Sequence, residues 1–333
     1  MKRPSVSVIM SVYNGERFMA AAIESILNQT FTNFEFLITD DGSTDETPAI
    51  LCAYASKDDR VRVIRQKNAG LTDTLNRMVK IAQGEFVARM DADDLSFPER
   101  LKRQIEKMRE KPDYLVTGCW FRTLDGNNNP SRETIFPDKP EVLKQNFHKG
   151  INCFAHGSVV LRKKIFTEMG FSYRFKYGQD FDLWLRLSEQ GSVGMVEKVL
   201  YHRYDHSNTI SKSLVPRRVA LMKLMLTLSE ERMRFKREVT NWNEEEQRIF
   251  EEVPLWTEKE IQAHDRFLEV RKLLCSGKNK KARRILHRIK TEMPNFNNVV
   301  RTYYISHLPG WITAPFLKLR DKINNKRFYI RPM

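Results

Sequence analysis

The sequence predicts an α/β fold, a mostly parallel sheet flanked by helices, followed by a helical and strongly basic C-terminal region. Short apolar runs alternate with helical patterns over residues 1–120, which is the rhythm of βαβ units. From residue 215 onward the pattern is helical. Charge divides the chain similarly, with 31 Lys and Arg against 28 Asp and Glu in residues 1–212, and 26 against 14 in residues 213–333.

The predicted elements follow in chain order. Strands are predicted at SVSVIMSV, FEFLIT, VRVI and EFVARM, and helices over Glu16–Leu27, after Ser43, over Leu71–Ala82 and from near Pro98. Beyond residue 120, turn-rich GNNNPSRETIFPDKP indicates a surface loop, and CFAHGSVVLRKKIF a strand that runs into a helix. GQDFDLWLRLSEQG predicts a helix that ends at Gly191.

Composition favours a cytoplasmic globular protein. A chain of 333 residues that is 41% hydrophobic can bury a large core. The cysteines lack the close pairing of a disulfide framework or a zinc site and indicate reduced thiols; they are Cys52, Cys119, Cys153 and Cys275. The first apolar run is too short for a signal peptide, and no stretch approaches the roughly 20 apolar residues of a bilayer span. We therefore expect a cytoplasmic protein, which is either soluble or attached peripherally to the inner face of the membrane.

Polar clusters follow three of the predicted strands. The clusters begin at Tyr13, Asp40 and Asp91. Because parallel strands end at one edge of a sheet, and ligands gather at that carboxyl edge, we expect these three loops to converge on one rim.

The third loop, within RMDADDLSFP, indicates a metal site. Repulsion among crowded carboxylates normally calls for a cation. Asp91 and Asp93 project to the same side of an extended chain and offer oxygens suited to Mg²⁺ or Mn²⁺, with water and diphosphate completing the coordination. The alternative is a helix cap for the helix from Pro98, a role open to Asp94 or Ser96.

The second loop, ITDDGSTDET, has a structural and a functional interpretation. Asp45 or Ser43 could cap the following helix, and Gly42 could form the turn. This leaves adjacent Asp40 and Asp41 unexplained at the end of a buried strand. As acceptors, they could bind a base N–H and a ribose hydroxyl.

Four segments together resemble the inverting family-2 glycosyltransferases, which have the nucleotide-sugar-binding fold called GT-A. They are SVIMSVYNGE, SILNQTFTNFEFLITDDGSTDET, NAGLTDTLNRMVKIAQGEFVARMDADD and GQDFDLWLRL. The resemblance covers roughly residues 4–212 and implies a catalytic domain over 1–212. Its part over about 1–120 would bind the nucleotide sugar, and its part over about 121–212 would hold the acceptor side and the base. The basic helical region, 213–333, lies outside it.

The resemblance implies roles for individual residues. The nucleotide would contact Ser11 and Tyr13, the latter by stacking, and Asp41 would bind uracil with Asp40 close behind. Asp91 would approach ribose and metal, Asp93 would be the firmest ligand of Mn²⁺ or Mg²⁺, and Asp180 falls at the catalytic base. In HRYDHSNTIS, His206 is a candidate metal or phosphate contact.

Two departures from the family pattern affect this transfer. Gln179 stands where the family often has Glu before its base. The histidine segment is one residue longer than usual, so the choice between His202 and His206 stays open. His156 is expected to be a buried structural or acceptor-loop residue, and Asp180 could also serve as a helix N-cap.

The resemblance implies metal-dependent inverting transfer of a sugar from a nucleotide-diphosphate sugar donor. A UDP-hexose or UDP-N-acetylhexosamine would donate to a hydroxyl of a lipid-linked surface glycan such as O-antigen, capsule or exopolysaccharide. A non-catalytic nucleotide-sugar-binding protein is one alternative. A nucleotidyltransferase is the other, but such enzymes use a glycine-rich basic phosphate loop, and YNGERF has little glycine.

The C-terminal segment has two interpretations. LPGWITAPFLKLRDKINNKRFYI places apolar and aromatic residues at helical spacing beside basic ones. Such a helix could lie on an anionic membrane surface, or it could pack on the catalytic domain with its basic face in water. Charge alone permits nucleic-acid binding, but no recognition motif supports it, and we expect no nucleic-acid partner.

Overall fold

The protein is described from a computed structural model. The structure describes residues 3–125, 128–204, 214–236 and 242–253, together with 255, 257–259, 261, 262, 266, 285 and 289. The chain divides into two compact units, Met1–Ser207 with Arg232–Lys236, and Asn208–Glu231 with Arg237–Met333. The predicted domain boundary near residue 212 stays a prediction.

The first half of the first unit is a parallel sheet with connecting helices. Strands lie side by side in the order β3, β2, β1, β4, all parallel. All of β2 and nearly all of β1 are buried, as expected for a parallel sheet covered on both faces. The elements are β1 (Val6–Val12), α1 (Met19–Leu27), β2 (Phe34–Asp40), α2 (Thr47–Lys57), β3 (Val61–Arg65), α3 (Leu71–Ile81) and β4 (Phe86–Arg89).

The second half extends this sheet to nine strands in the described part of the chain. The elements are β5 (Leu95–Ser96), α4 (Arg100–Glu110), β6 (Tyr114–Leu124), β7 (Pro130–Thr134), α5 (Pro140–His148), a 3₁₀ turn (His156–Ser158), β8 (Val160–Arg162), α6 (Lys164–Thr167), α7 (Gln179–Gln190) and β9 (Ser192–Tyr204). Short β8 pairs antiparallel with β4 and β6, whereas the long β6 and β9 are parallel. The mostly parallel α/β sheet expected from the sequence is thereby confirmed.

Several predicted elements need correction. The stretch GNNNPSRETIFPDKP is not all loop, since Pro130–Thr134 forms β7 against β6. Four of its five side chains are exposed, so it lacks the alternation that marks a strand. The first helix begins at Met19 rather than Glu16. The strands β6 and β9 were not predicted.

The second unit contains helices, as predicted for this region. Its described helices are α8 (Val215–Phe235), whose end is counted with the first unit, and α9 (Trp242–Glu252). Within this unit, Arg217 Nε donates to the carbonyl of Val253 at 2.8 Å, and its guanidinium lies over Phe250. Among the described residues, no helix is long and apolar enough to cross a bilayer.

Free thiols are found at the three described cysteines. Cys119 and Cys153 are buried, and burial raises the pKa of each thiol to about 12. Thiols with such a pKa are unreactive at neutral pH. Cys275 lies outside the described residues.

Candidate active site

Three loops meet at the carboxyl edge of the parallel strands, as the sequence analysis expected. The central strand β1 lies between β2 and β4. Asp41 N donates to the carbonyl of Val12 at 2.8 Å, and Met90 N donates to that of Ile9 at 3.0 Å. Both neighbouring loops are therefore fixed to the end of β1.

Ser11 lies near the end of β1, and Tyr13 lies in the first loop, which follows that strand. Tyr13 is 53% exposed, which leaves its ring available as a stacking surface. Asn14 has a φ of 51°, and its backbone N donates to Ser43 Oγ at 2.9 Å. Its side-chain oxygen accepts from Thr44 N at 2.9 Å. These bonds tie the first loop to the second.

Asp41 is buried and holds the segment 66–70 in place. Its Oδ1 accepts from Gln66 Nε2 at 2.6 Å and from Ala69 N at 2.9 Å. Its Oδ2 accepts from Gly70 N at 2.9 Å. A carboxylate with three donors is held rigidly, so whatever Asp41 contacts meets a fixed acceptor.

Asp40 is buried and organises the turn that follows β2. Its Oδ1 accepts from Ser43 N at 2.9 Å, and its Oδ2 lies 3.4 Å from Arg65 Nε. Gly42 has a φ of 86°, and a Cβ at this position would lie 2.8 Å from Asn68 N. The turn interpretation of Gly42 is therefore correct.

An open cavity of about 560 Å³ lies beside this turn, lined by Gly42, Ser43 and residues 65–68. It adjoins the loop for which the sequence predicts nucleotide contacts. Its lining includes none of Asp91, Asp93 and Asp180, so it accounts for only one part of the predicted site.

Asp91 leaves the end of β4 paired with a buried arginine. Arg89 Nη2 donates to Asp91 Oδ1 at 2.7 Å, and the Arg89 side chain is 1% exposed. Burial alone would raise the pKa of Asp91. Arg89, His156 and the backbone amide of Gly157 outweigh this effect, and the pKa lies below its ordinary value. Asp91 is therefore a carboxylate at neutral pH.

Asp94 is held inside the fold, and the predicted capping role for it is wrong. Its Oδ1 accepts from Tyr204 N at 2.9 Å, which fixes the loop to the end of β9. The helix α4 has Glu99 at its N-cap with no side-chain cap bond. Ser96 instead accepts from Arg100 Nε at 2.5 Å, so neither Asp94 nor Ser96 caps the helix.

Burial raises the pKa of Asp94 well above its ordinary value, and the charges of Asp91 and Asp93 add to this effect. Asp94 therefore carries a proton more readily than Asp91. The side chains of Asp91 and Asp93 are half-buried, so each keeps a surface that a ligand can reach.

Asp180 lies in the first turn of α7, where the helix dipole stabilises a carboxylate. The N-cap residue is Gly178, with a φ of 73°, so the N-cap interpretation of Asp180 is wrong. Its Oδ2 accepts from Asn152 Nδ2 at 3.0 Å.

His156 and Tyr173 connect the two sides of the site. The charges of Asp91 and Asp180 both act on His156, and both act on Tyr173. The two rings lie 5.7 Å apart between centroids. Asp91, which follows β4, and Asp180, which lies in α7, are therefore both near one shared cluster.

The candidate histidine contacts are resolved only in part. His202 lies in β9 opposite Leu95, and its ring packs edge-on against Phe97 at 4.7 Å. Burial lowers the pKa of His202, and Arg122 adds to this effect. His206 lies outside the described residues, so its predicted contact stays a prediction.

The carboxylates suit a divalent cation that arrives with a diphosphate. Asp91 and Asp93 offer hard oxygens, the preferred ligands of Mg²⁺ and Mn²⁺. Among described residues, no three His, Cys, Asp or Glu side chains form a group that could hold a metal. A metal here would therefore need ligands beyond the two aspartates, such as phosphate oxygens and water.

Several members of the site are not predicted from the sequence. The run EFVARM predicts a strand without marking Arg89, although a basic residue in a buried run indicates a partner. Gly157 approaches Tyr201 so closely that a Cβ would overlap Tyr201 Oη and lie 2.8 Å from Asp91 Oδ2. Tyr173 gave no signal, because its neighbours in the site are distant in sequence.

Comparisons with known proteins agree with this architecture. The family model described as Glycosyl transferase family 2 matches residues 7–170. Putative glycosyltransferase EpsE of Bacillus subtilis (strain 168) is 37% identical over 215 residues, covering 63% of this chain and 76% of EpsE. The O-antigen biosynthesis glycosyltransferase WbnJ of Escherichia coli is 31% identical over 243 residues, covering 71% of this chain and 92% of WbnJ.

Among solved structures, S. aureus TarS 1–349 in complex with UDP-GlcNAc superposes with a TM-score of 0.60. The identity is 16%, and the match covers 98% of this chain and 93% of the TarS chain. This likeness concerns the fold, and it confirms the GT-A fold implied by the sequence resemblance. The family model, with the extent and identity of the EpsE and WbnJ matches, shows that this chain belongs to the family-2 glycosyltransferases.

Proposed function

We propose that the protein is a metal-dependent, inverting hexosyltransferase. It would move a sugar from a UDP-hexose or UDP-N-acetylhexosamine to a hydroxyl of a growing, lipid-linked surface glycan. One observation carries the proposal: Asp91 after β4 and Asp180 in the first turn of α7 both lie close enough to His156 and Tyr173 to influence their pKa values. A donor with its diphosphate at Asp91 would present its anomeric carbon toward Asp180.

Asp180 is the proposed base. An acceptor hydroxyl has a pKa far above neutrality, so it must lose its proton as it attacks. The oxygen of the acceptor hydroxyl bonds to the anomeric carbon while the bond between that carbon and the phosphate oxygen breaks on the opposite face. The proton of the hydroxyl passes to Asp180. The hydrogen bond from Asn152 Nδ2 holds the carboxylate in position. This single displacement inverts the anomeric carbon.

Asp93 and Asp91 would hold Mg²⁺ or Mn²⁺. When bound, such an ion neutralises charge that develops on the departing diphosphate. Arg89 contributes by keeping Asp91 ionised and by fixing one of its oxygens. His206 is a further proposed contact, in the segment outside the described residues.

The nucleotide would bind at the first two loops. Tyr13 would stack on the base, with Ser11 beside it, and Asp41 would accept a uracil N–H with Asp40 behind it. The exposure of Tyr13 and the rigid hold on Asp41 support these roles. The TarS structure, which shares the fold, is described with UDP-GlcNAc, and this supports a UDP donor.

The acceptor is proposed to be a lipid-linked glycan at a membrane surface. WbnJ, which is similar over most of its own length, is described as an O-antigen biosynthesis enzyme. The positive charge concentrated in residues 213–333 suits an anionic surface. A peripheral position on the inner face of the plasma membrane would bring the active site to such an acceptor.

A panel of nucleotide sugars tests the proposal. The 333-residue chain is incubated with each donor and Mn²⁺, with or without EDTA, and free nucleotide is measured. One UDP-sugar should give release that EDTA abolishes. Binding of UDP-sugars with no release or transfer to any acceptor would support the non-catalytic alternative, and release of pyrophosphate from a nucleoside triphosphate would support a nucleotidyltransferase.

A further inference from the structure

Two buried polar atoms lie unpaired in the cluster shared by Asp91 and Asp180. Within the described structure, His156 Nε2 and Tyr173 Oη have no hydrogen-bond partner. Tyr173 is 3% exposed. Buried polar atoms are nearly always paired in folded proteins, because leaving one unpaired destabilises the fold. Unpaired atoms beside a catalytic centre therefore point to a ligand that pairs them.

These two side chains are held firmly. Tyr173 N donates to Asn76 Oδ1 at 2.9 Å, and Asn76 Nδ2 donates back to the carbonyl of Tyr173 at 2.9 Å. The ring of Tyr173 also stacks with Phe166 at 5.9 Å. His156 packs against Trp184 at 6.4 Å. A polar group fixed in this way can bind a ligand without further ordering.

The chemistry of the pair matches neutral hydroxyl groups. Burial raises the pKa of Tyr173, so its phenol keeps its proton. Burial lowers the pKa of His156, and Arg89 adds to this effect, so the imidazole is neutral near pH 7. Each side chain can then both donate and accept a hydrogen bond. Sugar hydroxyls do the same, whereas a phosphate would call for cationic donors.

Position indicates which sugar is contacted. In the proposed reaction, Asp91 is on the diphosphate side and Asp180 is on the side of the attacking hydroxyl. The ring that lies between these two carboxylates is the one being transferred. A pair that both carboxylates influence is therefore next to that ring.

We propose that His156 and Tyr173 hydrogen-bond to hydroxyl groups of the transferred hexose and so select the donor sugar and position its anomeric carbon. This inference rests on the proposed function, since it needs a hexosyl donor at Asp91. It assigns specificity to the 3₁₀ turn at His156–Ser158 and to the chain at Tyr173, outside the acidic loops.

Tyr173→Phe tests the proposal with the loss of a single oxygen. The variant should bind UDP as the unchanged chain does, but bind the preferred UDP-sugar about 5- to 10-fold more weakly, as expected for one neutral hydrogen bond. His156→Leu should show the same selective loss. Tyr54→Phe is the matched control, because the Tyr54 hydroxyl bonds Glu24 on α1, away from this cluster.

Deoxy donors identify the partner atom. For one position among C3, C4 and C6, the deoxy analogue of the preferred donor should bind Tyr173→Phe and the unchanged chain equally well. The inference is overturned if Tyr173→Phe weakens the binding of every deoxy analogue by the same factor. It is also overturned if both Tyr173→Phe and His156→Leu bind the preferred UDP-sugar with unchanged affinity. If the unchanged chain releases nucleotide from no donor, the proposed function itself has failed. A Tyr173→Phe variant that binds UDP normally is folded, so each of these results either supports or overturns the inference.

Discussion

Single side chains decide whether the site is catalytic or only binds a ligand. Asp180 is not used as a helix cap, because Gly178 occupies the N-cap position of α7. Its one side-chain hydrogen bond described here comes from the amide of Asn152. The carboxylate is thus oriented but not neutralised by a cationic partner among its described hydrogen bonds, which suits a general base.

Asp180→Asn should lose transfer while keeping donor binding. An amide of the same shape cannot take the proton of the acceptor, and removal of a general base typically lowers the rate by about 10²- to 10⁴-fold. Calorimetric binding of the UDP-sugar and initial transfer rates check this. The control is Asp113→Asn, an exposed aspartate before β6. Normal transfer by Asp180→Asn would mean that another residue is the base.

The raised pKa of Asp94 predicts how the free energy of unfolding depends on pH. Its pKa is raised in the folded chain, so it stabilises the fold at low pH, and this stabilisation is lost as the pH rises from about 4 toward its folded pKa. Asp94→Asn cannot ionise and keeps an oxygen for Tyr204 N. In EDTA at pH 8, its free energy of unfolding should exceed that of the unchanged chain by about 1 kcal/mol or more.

Urea unfolding at pH 4, 6 and 8 measures this difference, which should shrink toward pH 4. Asp113→Asn again serves as the control and should show no such trend. A variant that is less stable than the unchanged chain by the same amount at every pH would show that Asp94 is ionised in the fold.

At the scale of elements, the site depends on close packing between the acidic loop after β4 and the 3₁₀ turn at His156–Ser158. The amide of Gly157 contributes to the lowered pKa of Asp91, and Arg100 Nη1 lies 3.4 Å from the carbonyl of Gly157. Tyr201 from β9 completes this contact, since its hydroxyl accepts from Asp91 N at 3.4 Å.

Gly157→Ala should disrupt both stability and turnover. The added methyl group would overlap Tyr201 Oη and press on Asp91, and overpacking of this kind costs about 1–3 kcal/mol. Denaturant unfolding and transfer rates check this. In the double variant with Tyr201→Phe, loss of the hydroxyl removes the closest overlap and leaves the ring Cζ 2.7 Å from the added methyl group, so the two changes should be less destabilising together than their sum. Strict additivity would contradict the close contact.

The sequence was informative about elements whose signal is local. The parallel strands β1 to β4 each show a short apolar run, and the acidic loops follow them directly, so their convergence on one edge was predictable. The strand β7 was missed because its exposed side chains show no alternation, and β9 because its burial depends on pairing with distant β6. The convergence of His156, Tyr173 and Asp180 likewise depends on long-range packing.

At the scale of the whole molecule, the proposed function uses an acidic rim and a basic C-terminal region. Residues 1–212 are nearly balanced in charge, whereas 213–333 carry the basic excess. The segment from Pro309, predicted as an interfacial helix, lies outside the described residues. Its apolar and basic spacing is visible in the sequence, but the surface that its apolar face contacts is not.

Deletion of residues 309–333 should weaken binding to anionic vesicles. The deletion removes Lys318, Arg320, Lys322, Lys326, Arg327 and Arg331, and each basic residue near an anionic surface contributes about 1 kcal/mol. Sedimentation with phosphatidylserine vesicles should fall at least tenfold, and binding to neutral vesicles should be weak for both chains. Unchanged sedimentation would favour a helix packed on the protein.

We propose above that acidic side chains from the loop after β4 and from the helix α7 serve one bound donor. A crystal structure of Asp180→Asn with Mn²⁺ and the intact preferred UDP-sugar tests it most directly. We predict uracil at Tyr13 and Asp41, the diphosphate at Asp91 and Asp93, and the anomeric carbon facing residue 180 beside His156 and Tyr173. Density for the sugar in a cavity that residue 180 does not line would contradict it.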